Sequence, residues 1–354
     1  MALDSVIKRL VEKIREKEGQ RKRFSDALRE IKTKRIEKIR GKEKIIEESI
    51  CSKVAFCQPS GRIVGIDGGL LQGNYHGVDL LAVRAVAVLF DYKEGKLESY
   101  DYYPSASPDP QFFPFLEALS ESDFHLISGI YRATMEIETA LAAAKKYRPD
   151  CLILHGSVVP YPSSKPTSGE LKVIYDKMIF AYCALYEFCD KENIPLFGVV
   201  EDSRGSHFSE LMAETLGSES RLRDTALLFD ALDFGERTFA FKYHSHPEQH
   251  PVLMDLREWG PRLYSFYAKT ATYDRPVRID FIYNGNVTGR ANLISKYLFS
   301  LSSFNRSYGL PTVIIEADSR AKLEEGELDF IYQSVSDKLG SPLALRLRRE
   351  GRPF

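Results

Sequence analysis

The sequence predicts an α/β fold: a mixed five-stranded sheet flanked by helices, with a helical arm at the N-terminus. Three observations carry this. Apolar residues recur at helical spacing through the first fifty residues and then give way to the contiguous or alternating runs of strands. The early strand-like runs are joined by tight turns, which makes an antiparallel meander, whereas the later ones are separated by helices long enough for parallel crossovers. The chain has 354 residues, 44% of them hydrophobic and 28% charged, ordinary values for a globular protein that builds its own core.

In the arm (1–50), Val6, Leu10 and Ile14, then Phe24, Leu28 and Ile31, then Ile36 and Ile39 recur near helical spacing, with Lys, Arg and Glu on the other faces. Gly19 and Gly41 interrupt or bend the run. This segment carries roughly six more basic than acidic groups, and the tail 336–354, ending LALRLRREGRPF, is basic too. Such an arm packs on the body or a second subunit, or else contacts nucleic acid. Next come the strands RIVGID (62–67), VDLLAVRAVAVLF (78–90) and LESYDYY (97–103), the last two joined by the turn DYKEGK. A proline-rich loop, SPDPQFFP, leads to a helix over 131–147, rich in Ala, Glu and Lys. The strand PDCLILH ends at His155, a helix covers 172–193, and IPLFGVVED (194–202) is the fifth strand. Three strands, then helix, strand, helix and strand, is the ribonuclease-H-like arrangement.

Beyond 205 lie a helical stretch, the irregular segment FKYHSHPEQHPVLMDLREWGPRLYSFYAKT, and a strand-like PVRIDFIYN. A helix, a Gly-Pro break, the short apolar run TVII and a final helix follow. Residues 51–335 read as one domain with an insertion at about 205–290. The five cysteines form no CxxC pair and several sit in apolar runs, as reduced core residues do. No apolar run has the length of a membrane span and the N-terminus has no signal-peptide pattern, so a cytoplasmic protein is expected. The net charge of −1 points to no partner.

Chemistry-bearing residues gather at strand ends. Asp67 closes the first strand before Gly68-Gly69, where two glycines let the chain turn and leave a carboxylate open. An Asp-Gly turn is the plain alternative. Glu136 and Glu138 lie two apart on the helix before the fourth strand, so only one can face a site, and Glu136 can instead pair with Arg132. His155 ends the fourth strand, which in this topology lies beside the first. Asp318 sits between TVII and the last helix, either as its N-cap or as the last member of a cluster. Carboxylates plus an imidazole at one end of a sheet suit a divalent cation, Mg²⁺ or Mn²⁺, with the nitrogen ligand favouring Mn²⁺. Such ions serve phosphodiester hydrolysis.

The stretches RIVGIDGG, YRATMEIETA, CLILHGSVVP, FGVVEDSRGS, FDALDFGERTFAF and YGLPTVIIEAD occur in the order found in the NurA nucleases, and the chain resembles that family over most of its length after residue 60. The resemblance implies a ribonuclease-H-like core and a homodimer. It also implies Mn²⁺-dependent exonuclease and endonuclease action on DNA, and partnership with a HerA-type hexameric ATPase in double-strand break end resection. Asp67 matches the family's first metal-binding aspartate, and Glu138, ahead of Glu136, its helix glutamate.

The departures are specific. The family's Asp-Gly-Ser is His155-Gly156-Ser157 here, and its Ala-His is Ala317-Asp318. A tyrosine usually found just upstream aligns with Leu310, two residues from Tyr308. Glu201 stands where the family has a lysine. Two accounts follow: either aspartate and histidine have exchanged places around the same metals, or the chain is a degenerate member that binds DNA or a partner without cutting. The first is preferred, because chance loss does not restore a carboxylate where the histidine is gone. Glu201 or Asp202 would be additional ligands. Arg204, Arg237, Lys242 and Arg278 are candidates for DNA phosphates. His244, His246 and His250, in HSHPEQH, read as a loop ahead of a zinc site. Phe112, Phe113 and Phe115 are candidates for stacking or dimer contacts. A nucleotide phosphatase using the same cluster is a third reading.

Overall fold

The computed structural model describes residues 2–33, 47–75, 78–117, 119–161, 165–166, 169–216 and 222–339. The distal part of the arm, with Ile36, Ile39 and Gly41, and the tail from 340 lie outside the described residues. In chain order the elements begin with α1 (Ala2–Ile31), β1 (Cys51–Lys53), β2 (Gly61–Tyr75), β3 (Val78–Lys93), β4 (Lys96–Tyr103) and β5 (Gln111–Phe115). Then come α2 (Glu121–Tyr147), β6 (Cys151–His155), α3 (Gly169–Lys191), β7 (Leu196–Val200), α4 (His207–Leu216) and α5 (Asp224–Ala231). The chain continues through β8 (Glu236–Thr238), β9 (Phe241–Lys242), α6 (Pro251–Asp255), β10 (Leu263–Ala268) and β11 (Val277–Ile282). It closes with α7 (Val287–Ser302), α8 (Thr312–Ala321) and α9 (Glu325–Leu339). No helix among the described residues is long and apolar enough to cross a membrane.

Contacts divide the chain into two compact units. One comprises Met1–Pro59, Phe197–Pro247 and Pro261–Pro311. Its strands run β1–β8–β10–β11–β7, antiparallel throughout, with β9 on β10. The arm belongs to this core. Phe24 and Leu28 of α1 pack with Phe208 and Met212 of α4, Leu227 and Leu228 of α5, and Tyr267 of β10. Buried Lys32 fastens the end of the arm through Asp233 at 2.8 Å and Glu236 at 2.7 Å. Gly19 does not break α1. Residues read from sequence as an irregular stretch include β10, whose six residues are all buried and so lack the alternation that marks a half-exposed strand.

The other unit comprises Ser60–Leu196, Glu248–Gly260 and Thr312–Phe354. Its strands run β6–β2–β3–β4, with β5 also on β3. β2 pairs antiparallel with β3 from Gly61↔Tyr92 to Tyr75↔Val78, and β3 pairs antiparallel with β4. β6 runs parallel to β2, from Ile63↔Cys151 to Ile66↔Leu154. This is the ribonuclease-H-like order expected: an antiparallel meander with the next strand parallel to its first. β7, the expected fifth strand, forms, and from Phe197 onward it lies in the first unit, pairing antiparallel with β11.

Three expectations are corrected. β2 does not end at Asp67 but runs through Gly68-Gly69 to Tyr75. The proline-rich segment contains β5, where the Phe113 ring meets that of Tyr131 at 4.4 Å, tilted by 40°, and Phe115 meets Phe124 at 5.8 Å, so these rings pack inside the unit. TVII is the first turn of α8, with Val313, Ile314, Ala317 and Ala321 buried at helical spacing, so Asp318 lies inside the helix and is not its cap.

The glycines of β2 are there for close approach and not for a turn. A Cβ on Gly65 would stand 2.9 Å from the Val313 carbonyl oxygen, and one on Gly69 2.2 Å from that of Ala321, both on α8. A Cβ on Gly68 would meet Cγ of Glu136, on α2, at 2.5 Å. Since side chains alternate along a strand, α8 crosses one face of β2 and α2 the other. α2 is set by Ser120, which accepts from Asp123 N at 3.1 Å at its start, and by Arg148 in the left-handed region (φ 47°) at its end.

Gly69→Ala must displace backbone, so it is expected to cost about 2–3 kcal/mol in urea unfolding, the upper range for overpacking. Gly129→Ala, on α2 with nothing within 4 Å of the new Cβ, is expected to gain about 0.5–1 kcal/mol. Equal effects at the two positions would contradict the close-approach account.

Candidate metal centre

The centre is built on β2. Asp67 points to the face that α8 crosses, because residues 65, 67 and 69 share that face. The parallel register Ile66↔Leu154 sets His155 beside Asp67 on the same face. Their side chains meet, with His155 Nδ1 3.0 Å from Asp67 Oδ2. This contact holds the imidazole ring against the carboxylate. Asp67 is 7% exposed and His155 22%. From α8 comes Asp318, which is exposed. One ligand atom from each of Asp67, His155 and Asp318 lies within 4.8 Å of the others. Three residues far apart in sequence thus converge as the sequence expected.

Glu136 approaches from α2, over the bare face of Gly68. Glu138, the glutamate preferred from sequence, is exposed on that helix, and Glu136 is the one that packs against β2. Side chains two apart on a helix diverge, and only the packing of α2 on β2 decides which turns inward. Glu136 is 14% exposed, and its Oε1 is buried without a hydrogen-bond partner. Burial pushes its carboxyl up to about 7; Arg132 opposes this, Asp67 adds to it and His155 opposes it. Arg132 Nε stands 3.5 Å from Glu136 Oε1, close enough for charge attraction but without hydrogen-bond geometry.

This donor set fits a hard divalent cation. Carboxylates with one imidazole suit Mn²⁺ or Mg²⁺. The buried Oε1 of Glu136 is a carboxyl oxygen for which the protein supplies no hydrogen-bond partner.

Other expected residues fall elsewhere. Arg237 is 1% exposed and forked onto Glu47 at 2.9 Å through both terminal nitrogens, so it is a core ion pair out of reach of a DNA phosphate. Arg278 donates to Asp280 at 2.8 Å and Ser203 at 3.2 Å, and Lys242 to Tyr264 at 2.8 Å and to the Pro261 carbonyl. Arg204 is the exposed one of the four. Asp202 is exposed and paired with Arg275 at 2.7 Å; Glu201, half-buried, directly follows β7. His244 Nδ1 accepts from His246 N at 3.1 Å, and His250 Nδ1 caps α6 by accepting from Leu253 N at 3.3 Å, as loop residues do. Sequence reading missed the long run of β2 and the role of its glycines. The signal was present in GGLLQGNY, which keeps strand character past Asp67.

The NurA domain profile matches residues 61–323. The chain belongs to the NurA family. Its fold is that of solved NurA proteins. It is 17% identical to the NurA nuclease from Sulfolobus solfataricus, with a TM-score of 0.58 over 94% of this chain and 97% of that one. It is 12% identical to a NurA solved with manganese, with a TM-score of 0.51 over 93% and 98% of the two chains. A NurA bound to dAMP and manganese is 11% identical, with a TM-score of 0.50 over 84% and 91%. No curated protein matches the chain.

The Glu136 carboxyl gives a pH test. Its pKa rises on folding from an ordinary 4.5 to about 7, so the folded state favours the neutral form. Ionisation therefore costs nothing below pH 4.5, more as pH rises, and its full amount above pH 7. In EDTA, Glu136→Gln is expected to stabilise this NurA protein by about 2–3 kcal/mol at pH 8 and hardly at pH 4. Thermal melts across that range check it; a gain independent of pH would contradict the burial account.

Proposed function

We propose that this NurA protein is a metal-dependent DNA nuclease that hydrolyses phosphodiesters, with Mn²⁺ or Mg²⁺ as cofactor and both exonuclease and endonuclease action. It works in the cytoplasm as a homodimer with a HerA-type hexameric ATPase in resecting double-strand breaks. The observation that carries this reading is the convergence of Asp67, His155 and Asp318 within 4.8 Å, with Glu136 buried beside them.

Asp67, His155, Asp318 and Glu136 are the residues that would hold the ion. A divalent ion there supplies Lewis acidity toward water and phosphate and neutralises developing charge. The residues themselves do the positioning. His155 fixes the Asp67 carboxylate by the 3.0 Å contact, so that a buried anion keeps one orientation. Asp318 stands on the solvent side, where a DNA strand arrives. Glu136 brings negative charge from the opposite face of β2. In this reading His155 and Asp318 have exchanged the aspartate and histidine of the family pattern, and the set of donors is preserved.

The test is degradation of end-labelled single- and double-stranded DNA with Mn²⁺ or Mg²⁺. Asp67→Ala, His155→Ala and Asp318→Ala are each expected to lose about 100-fold or more, the upper end of what even supporting residues of a metal site cost. The double exchange His155→Asp with Asp318→His is expected to keep cutting, while either single exchange loses it. A native chain that binds DNA but does not cut under any of these conditions would make it a binding subunit.

A further inference from the structure

We propose that Arg132 is the phosphate-binding residue of this centre, held on Glu136 until a cation takes that carboxylate. This rests on the metal-nuclease reading above and extends it to a residue outside the ligand set.

Arg132 and Glu136 are four apart on α2, one turn, and so share a face. That face lies over β2 at Gly68, the residue after Asp67. Two contacts place the guanidinium. Its Nε is 3.5 Å from Glu136 Oε1, and one terminal nitrogen is 3.4 Å from the Gly68 carbonyl oxygen. Both are long, and neither is the parallel two-bond fork that arginine makes with a carboxylate it is built to hold. The contrast within this chain is direct, since Arg237 forks onto Glu47 with both bonds at 2.9 Å and is 1% exposed. Arg132 is 45% exposed, whereas its partner Glu136 is only 14% exposed. Arg132 is therefore held less firmly, and left far more exposed, than Arg237 is by Glu47.

Charge explains why the residue is there. Glu136 is buried, and Arg132, one turn away on α2, is the cation that stands against it. A divalent cation held by Glu136 and Asp67 takes over that role and repels the guanidinium at short range. A planar fork of donors is then left exposed on α2 beside Gly68, the residue after Asp67, matched to two oxygens of a phosphodiester. The same residue is thus a counter-ion without metal and a phosphate ligand with it.

The test is binding of a fluorescent single-stranded oligonucleotide to the full chain, native and Arg132→Met, in EDTA and in Ca²⁺. Gels confirm that the oligonucleotide stays intact. With Ca²⁺, Arg132→Met is expected to weaken binding about tenfold and to lower the salt slope by about 0.7, the share of one phosphate contact on a single strand. In EDTA the change is expected to stay under about twofold, because there the guanidinium belongs to Glu136. Melting is the second readout: Arg132→Met is expected to lower the melting temperature in EDTA but not in Mn²⁺. Arg132→Lys is expected to restore the melting temperature in EDTA and only part of the affinity in Ca²⁺. An equal loss of affinity in EDTA and Ca²⁺, or none in Ca²⁺, overturns the assignment of Arg132 while Mn²⁺ still stabilises the native chain. If Mn²⁺ does not raise the native melting temperature at all, the metal reading fails and this assignment fails with it.

Discussion

Two helices approach one strand closely from opposite sides, and this is possible only because β2 is bare where they cross it. Gly65 and Gly69 admit the backbone of α8 to 2.9 Å and 2.2 Å of where a Cβ would be, and Gly68 admits Glu136 from α2. A side chain at 65 or 69 would push against the backbone of α8, and one at 68 would push the Glu136 side chain aside. Asp318 would then leave Asp67 and His155, or Glu136 would leave the strand. On the α8 face the residue between Gly65 and Gly69 is Asp67, so the carboxylate is fixed in the stretch of sheet that both helices touch. Arg84 supports this from β3, where it pairs opposite Gly69. It is buried and donates to the Lys322 carbonyl and to Glu327, which ties the end of α8 and the start of α9 to the same level of the sheet.

Packing this tight gathers negative charge in a poorly solvated place. Two carboxylates and one imidazole share a small volume at Asp67, His155 and Asp318, and a third carboxylate, Glu136, lies on the other face of β2, with Asp67 and Glu136 both buried from water. Each buried anion needs compensation. Asp67 takes it from His155 in a good contact, whereas Glu136 takes it from Arg132 in a poor one. The unequal bargain shows where the protein stores electrostatic strain: on the α2 side, at Glu136, whose Oε1 has no donor. Strain of this kind is costly to keep without a ligand and is relieved by a cation, which is how an anionic site is made ready at the expense of stability.

How much of this was legible depended on where local pattern and tertiary packing agree. CLILHGS could be read because four buried residues followed by a polar residue and glycine describe the end of a buried strand, and β6 does end at His155. RIVGIDGG was misread past Asp67 because Gly-Gly signals a turn when only neighbours along the chain are considered. The same residues signal close packing when another helix lies above them, and nothing local separates the two cases. TVII looked like an isolated apolar run because α8 is short and buries its first turn; only Ala317 and Ala321, continuing at helical spacing, show that Asp318 is inside it. The choice between Glu136 and Glu138 could not be made from spacing, since it is set by the rotation of α2 against β2. Arg237 failed as a DNA contact for a similar reason, its partner Glu47 lying 190 residues away in sequence.

In the reading proposed above, the exchange of aspartate and histidine would follow a physical logic. A metal site is a set of donor atoms around a point, so two positions that reach the same point can trade side chains. Positions 155 and 318 both reach Asp67. They are not equivalent, because 155 is mostly buried on a rigid strand end and 318 is exposed on a helix. An aspartate at 155 would press a second carboxylate against buried Asp67, and two such groups cannot both ionise cheaply without a cation. An imidazole at 155 stands against Asp67 instead, and the displaced carboxylate sits at 318, where water solvates it. On the proposed reading, the arrangement in this chain would keep the donor set while lowering the repulsion between carboxylates when no cation is bound.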